Sequence, residues 1–280
     1  MRRLPPISII ALVVVATLSL SGLGKMARAQ GLTVLAAGSL REVIGDLGAR
    51  YHQATGVAVT TEFGPSGLLR EKIEQGEKAD LLASADMGSP LALLREGRAV
   101  RVVMFTRNAL CGIALPKVGL TTANFLDRLL DPTVKLGTST PKADPGGDYT
   151  WAMFHRADAI HPGAYAILDR KAQKIVGGTL SPSAEASSAG DPVAAAFSDG
   201  RIDVMIGYCS GRQRMLAAIP GLQFVKLPRA ISTGPEYGLA ILKGAGPQAD
   251  DFALYLLSPA AQQIFAQHGF APIGLPAATP

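Results

Sequence analysis

The stretch from Leu32 to Asp86 constrains the fold more than any other part of the chain, because a strand–serine–helix unit occurs in it twice. Each unit is an apolar run that ends in small residues, with a serine, Ser39 or Ser66, where the next helix begins. A third apolar run follows at 81–83. Alternating strands and helices predict a largely parallel sheet flanked by helices. Ligands bind beyond the carboxyl ends of such strands, so we expect both serines to face one crevice.

The rest of the chain repeats this α/β pattern. An apolar run interrupted at 106–108 suits a strand pair or one strand that crosses to a second lobe, and we place the first crossover there. The segment 237–242 is typical of a strand that returns. No low-complexity linker separates the two series, which favours a hinged, two-lobed binder over independent domains. We predict that lobe 1 comprises residues 30–107 plus 233–280, and that lobe 2 comprises residues 108–232.

Three local expectations can be compared directly with a structure. Ser39 and Glu42 have the spacing of a capping box, which predicts that the first helix begins at Ser39. A helix is predicted from about Asp148 through Phe154 in the second series, and another over roughly 164–175.

The first 29 residues predict a secretory signal peptide, and therefore a periplasmic protein. A basic start precedes an apolar run at 7–20, and Ala27-Arg28-Ala29 is a typical cleavage site. The chain has a formal net charge of +5. This segment holds four basic residues and no acid, so the remainder carries about +1, which removes the main argument for nucleic-acid binding.

The two cysteines, Cys111 and Cys209, each lie in an apolar, strand-like run. Export would permit a disulfide between them. Two buried free thiols are the alternative. Redox catalysis is not indicated, since the C-x-x-C motif is missing.

Motifs for catalysis and metal binding are missing from the sequence. Ser66 lies in G-P-S-G-L and Ser39 in A-G-S-L-R, so neither forms the G-x-S-x-G elbow of esterases. His155 and His161 lack the H-E-x-x-H spacing, and no P-loop or G-x-G-x-x-G is found. We therefore expect no enzymatic activity, no cofactor and no bound metal.

Helix N-termini at Ser39, Ser66 and Asp191 would offer backbone N–H groups to an anion. The two serine hydroxyls and the phenol of Tyr208 could add donors. The alternative is that each serine only caps its helix and that Tyr208 packs in the core. Asp191 could likewise cap its own helix and leave only the N–H of Val193 and its neighbours.

The chain resembles the periplasmic molybdate-binding proteins of ABC importers, within the type II periplasmic binding proteins. The resemblance rests on A-A-G-S-L, then F-G-P-S-G-L-L-R-E-K-I-E-Q-G, then A-D-L-L-A-S-A-D, and later on D-P-V-A-A-A-F-S-D-G-R-I-D-V-M-I-G-Y. It implies two lobes, each a mainly parallel sheet flanked by helices, with the ligand in the cleft between them. It also implies a receptor, expected to be a monomer, that delivers molybdate or tungstate to a membrane permease.

By this resemblance, neutral donors hold the oxyanion at Ser39, Ser66, Val193 and Tyr208. A further contact is expected from the loop at 143–149, at Asp144, Gly147, Asp148 or Tyr149. Here the chain departs from the family pattern, because two carboxylates stand near the expected anion site. Another oxyanion, a small carboxylate or a chelated metal therefore remains open as the ligand. A secreted enzyme on the same scaffold is the alternative from another class.

Overall fold

The computed structural model describes residues 31–178 and 191–273. Within these ranges the chain forms two five-stranded sheets, each covered by helices on both faces. The predicted signal peptide at residues 1–29 lies outside the described residues. No helix in the described ranges combines the length and the apolar character that a membrane span requires.

The first sheet has the strand order β2-β1-β3-β10-β4. Its strands are β1 (Leu32–Ala37), β2 (Val59–Gly64), β3 (Leu81–Ser84), β4 (Ala99–Arg107) and β10 (Glu236–Leu242). Alternate side chains of β1 point to opposite faces, and both faces are buried. One face packs against α1 (Arg41–Thr55), α9 (Pro247–Leu257) and α10 (Pro259–Gln267). The other packs against α2 (Ser66–Glu74) and α3 (Gly88–Arg95). We call this sheet with its helices lobe 1.

The second sheet has the strand order β7-β6-β8-β5-β9. Its strands are β5 (Leu110–Ala114), β6 (Leu136–Ser139), β7 (Gln173–Val176), β8 (Val204–Tyr208) and β9 (Gln223–Lys226). One face packs against α4 (Phe125–Leu130), α5 (Pro145–Ile160) and α6 (Ala164–Lys171). The other packs against α7 (Pro192–Ser198) and α8 (Arg212–Ala218). We call this second unit lobe 2.

The two-lobed α/β prediction is confirmed, but each sheet is mixed rather than mainly parallel. β1 pairs in parallel with β2 and β3, whereas β10 is antiparallel to β3 and β4. In lobe 2, β6 is parallel to β7 and β8, whereas β5 is antiparallel to β8 and β9. The antiparallel pairs of each sheet thus share one strand, β10 or β5. Both strands lie next to a crossover between the lobes, where the chain enters the sheet from the opposite end. The exact lobe boundaries remain a prediction.

Two helix boundaries differ from the sequence prediction. The predicted helix over 164–175 ends at Lys171, because Ala172 is extended and the β-branched Ile175 and Val176 belong to the edge strand β7. The helix predicted from Asp148 begins earlier, at Pro145, and runs to Ile160. Proline is well suited to the first position of a helix, where its missing N–H would have no partner.

Cys111 and Cys209 are joined by a disulfide, with 5.1 Å between their Cα atoms. Cys111 lies in β5 and Cys209 directly follows β8. The bond therefore ties the crossing strand of lobe 2 to the end of the strand that carries Tyr208.

Candidate functional site

A cavity of about 480 Å³ lies between the two lobes, and we call it the main cavity. Lobe 1 lines it with residues that follow β1 and β2, and lobe 2 with the ends of β6 and β8 and the starts of α5, α7 and α8. Its polar lining includes Ser39, Arg41 and Glu42 from lobe 1, and Asp144, Asp191 and Tyr208 from lobe 2. The strand ends predicted to form a crevice thus do so.

Ser39 lines the main cavity, but the predicted capping box with Glu42 is wrong. A short 3-10 helix at Gly38–Leu40 precedes α1, and no side chain caps either helix. The Ser39 hydroxyl instead shares a hydrogen bond of 2.9 Å with the hydroxyl of Tyr237, a buried residue of β10. This contact joins the predicted ligand-binding serine to the strand that returns to lobe 1.

Ser66 occupies a different position from Ser39. It is the first residue of α2 and is fully buried. Its Oγ accepts a hydrogen bond of 3.1 Å from the Ala85 N–H rather than capping its helix. Ser66 does not line the main cavity, although Pro65 and Ala85 do. The doubled sequence pattern therefore puts only one of its two serines at the cavity wall.

Val193 lines the main cavity near the start of α7, but its N–H is engaged. The Oδ1 atom of Asp191 caps α7 and accepts hydrogen bonds from Val193 N–H at 2.9 Å and from Ala194 N–H at 3.4 Å. The Oδ2 atom of the same carboxylate contacts the guanidinium of Arg214. The N–H expected to hold an anion is thus held by a carboxylate of the same lobe.

Tyr208 ends β8 at the wall of the main cavity. Its Oη is buried and has no hydrogen-bond partner among the described residues. The ring lies edge-on to Tyr237, with 5.7 Å between centroids. Each hydroxyl shifts the pKa of the other, but the two do not have the geometry of a hydrogen bond. Burial raises the pKa of Tyr208 well above that of a free phenol. The hydroxyl is therefore a neutral donor that is available to a ligand.

The four residues expected from the loop at 143–149 are not brought together. Asp144 lines the main cavity, whereas Asp148 and Tyr149 line a second interlobe cavity of about 680 Å³. Gly147 lies buried in the first turn of α5, where its N–H donates to the Asp144 carbonyl at 2.9 Å. Successive residues of a helix point about 100° apart, so a helix that begins at Pro145 separates these side chains.

Asp144 caps α5 and accepts a hydrogen bond of 2.8 Å from the Gly146 N–H. Burial, together with the smaller effect of the Asp148 and Asp86 carboxylates, raises the pKa of Asp144 to about 6. The hydrogen bonds from Gly146 and Ser139 act in the opposite direction. Part of the Asp144 surface is exposed to the main cavity, and the rest is surrounded by protein. Near neutral pH Asp144 is predominantly a carboxylate.

Two arginines of the main cavity were missed by the sequence reasoning. The guanidinium of Arg41 lies over the ring of Phe63, 4.6 Å from its centroid. Arg214 of α8 lies between Asp191 and Glu42, with 3.5 Å from its Nε to the Glu42 Oε1. Because Glu42 belongs to lobe 1, this ion pair crosses the cleft. The position of Arg41 two residues after Ser39 was a usable signal for the first of them.

The lobes also touch through their backbones. The Gly67 N–H at the start of α2 donates to the Ala143 carbonyl of lobe 2 at 3.1 Å. A Cβ atom at Gly67 would overlap the Lys142 carbonyl oxygen and lie 2.8 Å from that of Ala143. Gly67 stands between Pro65, which lines the main cavity, and Arg70, which lines the second. Position 67 therefore requires a glycine, because the two lobes approach each other closely there.

Within the described ranges, no group of three or more His, Cys, Asp or Glu side chains is placed to hold a metal ion. The carboxylates of the main cavity are instead engaged by backbone N–H groups and by Arg214.

Comparisons with known proteins agree with this architecture. Residues 32–271 match the family described as bacterial extracellular solute-binding protein. An uncharacterised protein of Pasteurella multocida is 40% identical over 187 residues, which are 66% of this chain and 76% of that protein. The periplasmic molybdate-binding protein of Azotobacter vinelandii has a TM-score of 0.68 at 18% identity, covering 88% of this chain and 100% of that one. The sulfate-binding protein SubI of Mycobacterium tuberculosis has a TM-score of 0.68 at 20% identity, covering 88% of each chain.

Proposed function

Because the chain belongs to the family of bacterial extracellular solute-binding proteins, we propose that its main cavity captures a small anion for delivery to an ABC permease. The chain is a solute-binding protein of the ABC-importer type, and its family and structural neighbours are binding proteins rather than enzymes. A periplasmic location and a monomeric state belong to the proposal, since they depend on the predicted signal peptide and on the family resemblance.

The observation that carries the anion proposal is the set of donors at the wall of the main cavity. The Tyr208 hydroxyl is buried without a partner, and Ser39 and Arg41 face the same cavity from the other lobe. An unpaired buried hydroxyl costs free energy on the order of 1–3 kcal/mol, and a ligand oxygen would remove that cost. Donors on opposite lobes favour an anion that is held between them.

Molybdate or tungstate is the first ligand to test. The solved structures with the same fold include proteins named for molybdate and for sulfate, which are both tetrahedral oxyanions. Neutral hydroxyls at Ser39 and Tyr208 suit such an ion. Ser66 and Val193 stay predicted contacts. A contact at Val193 would require Asp191 to release the Val193 N–H. Ser66 Oγ accepts from the Ala85 N–H and keeps its own hydrogen to donate, but Ser66 would have to become accessible from the main cavity.

A second ligand class is favoured by the acidic side of the cavity and by its size. Asp144 and Asp191 line the lobe 2 wall, where they would repel a bare dianion. A volume of about 480 Å³ is within the range of sites that enclose small organic molecules. Another oxyanion, a small carboxylate or a chelated metal would fit these features.

The proposal is tested by native mass spectrometry for a co-purified anion and by calorimetric titration with molybdate, tungstate, sulfate and phosphate. We expect saturable binding of at least one anion, weakened about tenfold in Ser39→Ala, since a ligand oxygen loses a partner. Ser198→Ala is the matched control, because Ser198 is exposed at the far end of α7. Binding of none of these anions, or equal affinities in the two variants, would contradict capture at Ser39.

A further inference from the structure

The two walls of the main cavity offer different groups to a ligand. We propose that Asp144 makes the cleft select anions that carry their own O–H or N–H donor over anions that carry none. The inference rests on the proposed anion capture and deepens it, because it names the chemical class of the ligand. It is argued from the partners of each carboxylate in the cavity.

Two of the three cavity carboxylates are already compensated by a cation. Asp191 contacts the guanidinium of Arg214 and accepts the N–H groups at the start of α7. Glu42 faces the same Arg214 across the cleft, with 3.5 Å from its Oε1 to the arginine Nε. These three side chains form one ion-pair cluster, so neither of these carboxylates presents an isolated charge to a ligand.

Asp144 differs from both. The carboxylates of Asp148 and Asp86 raise its pKa, and Asp144 forms no ion pair within the described ranges. Its described partners are the Gly146 N–H, at 2.8 Å, and Ser139. A carboxylate offers about four acceptor positions, so these two partners leave capacity for a further donor. No described cationic side chain pairs with the Asp144 carboxylate. A ligand in the main cavity could therefore donate a hydrogen bond to it.

A ligand that supplies this donor converts repulsion into a charge-assisted hydrogen bond, which is about twice as strong as one between neutral groups. A dianion without a proton cannot donate a hydrogen bond to Asp144. It is instead repelled by this carboxylate, and the repulsion is large because the site is partly dehydrated. The donors on the opposite wall, Ser39 and Arg41, remain available for the ligand's own charge. The cavity therefore suits a hydrogen-bearing anion oriented with its charge toward lobe 1.

Two matched ligand pairs isolate this effect. Hydrogen phosphate and sulfate are both dianions of similar size at pH 8 but differ by one proton, and lactate and propionate differ by one hydroxyl. Calorimetric titration should give at least tenfold tighter binding of the donor-bearing member in one of the pairs. In Asp144→Asn the ratio of the two affinities within a pair should fall below about threefold, because the amide still caps α5 but carries no charge.

Asp127→Asn is the matched control, since Asp127 is exposed on α4 and lines neither cavity, and its ratio of affinities should equal that of the wild type. Asp144→Ser, which also retains a capping oxygen, repeats the test if the asparagine variant is unstable. Binding of sulfate or molybdate as tight as that of hydrogen phosphate, with lactate and propionate also equal, would overturn the inference but not anion capture. An unchanged ratio in Asp144→Asn would do the same. Failure of every anion to bind would overturn the proposed function itself.

Discussion

The helices that begin at the cleft are capped differently in the two lobes. In lobe 1, neither α1 nor α2 receives a hydrogen bond from a capping side chain. In lobe 2, both α5 and α7 are capped by an aspartate that lines the main cavity, Asp144 or Asp191. A carboxylate at a helix N-terminus satisfies the N–H groups and the helix dipole that would otherwise attract an anion. This difference supports the proposal that lobe 1 holds the charge of an anion, whereas lobe 2 offers mainly acceptors together with the Tyr208 hydroxyl.

The largest expected effect comes from separating the two walls. Gly67→Ala places a methyl group against the Lys142 and Ala143 carbonyls, so lobe 1 cannot keep its backbone contact with lobe 2. We expect ligand affinity to fall about 100-fold, because a ligand bridging both walls would lose one of them. Calorimetry would measure the affinity, and small-angle scattering the opening of the cleft.

Gly45→Ala is the control for this prediction. Gly45 lies inside α1, and a Cβ atom there would meet nothing within 4 Å. Affinity should be unchanged in this variant. A Gly67→Ala protein that binds as tightly as the wild type would show that the contact is not needed for capture.

A smaller effect is expected from the Tyr208 hydroxyl, which is the proposed donor of lobe 2. Tyr208→Phe removes a buried hydroxyl that has no partner among the described residues. Affinity should fall about tenfold, or about 1.4 kcal/mol, while the free energy of unfolding of the ligand-free protein stays equal or rises. Titration and urea denaturation measure the two quantities. Tyr165→Phe, on α6 away from the cavity, should change neither, and a loss of stability without a loss of affinity in Tyr208→Phe would remove Tyr208 from the site.

The smallest expected effect is the pH dependence that Asp144 adds to the stability of the ligand-free protein. Its pKa is raised from 3.8 to about 6, so the folded state keeps the proton after the unfolded state has lost it. Stability from this group is therefore complete below about pH 3.8, still partly present at pH 5, and lost as the pH rises through about 6. With allowance for its partial exposure, the loss between pH 5 and 8 is about 1 kcal/mol. Urea denaturation at both pH values should show that the free energy of unfolding falls more between pH 5 and 8 in the wild type than in Asp144→Asn. An equal change in the two proteins would contradict this prediction.

Most of the secondary structure could be predicted from the sequence, because its signals are local. The breaks at Pro192 and Pro259 lie at the first positions of α7 and α10, as helix-start signals require. The edge strand β7 was missed because it has only four residues, Gln173–Val176, too few for a periodicity to be visible. The mixed character of the sheets was missed for another reason. Strand direction at a crossover depends on where the chain re-enters the sheet and leaves no mark on the strand itself.

The candidate site was less predictable than the fold. Ser39 and Ser66 look alike in sequence, yet one lines the main cavity and the other is fully buried against β3 and Ala85. The aspartate alternative at α7 was visible from Asp191-Pro192, but whether the carboxylate would occupy the Val193 N–H depended on its final rotamer. Arg41 could have been found from its position two residues after Ser39, whereas Arg214 had no signal that separated it from the exposed charges of other helices.

The sequence by itself determined two α/β series joined by short crossings, with small residues and serines at the carboxyl ends of strands. Hydrophobic periodicity and turn residues act over a few positions, so they can be read directly along the chain. Only the tertiary structure decided which donors are engaged. Ser39 pairs with Tyr237, 198 residues away, and Arg214 pairs with Glu42 across the cleft. Such partners are fixed by the packing of whole lobes, so only the tertiary structure distinguishes the wall that is proposed to receive an anion.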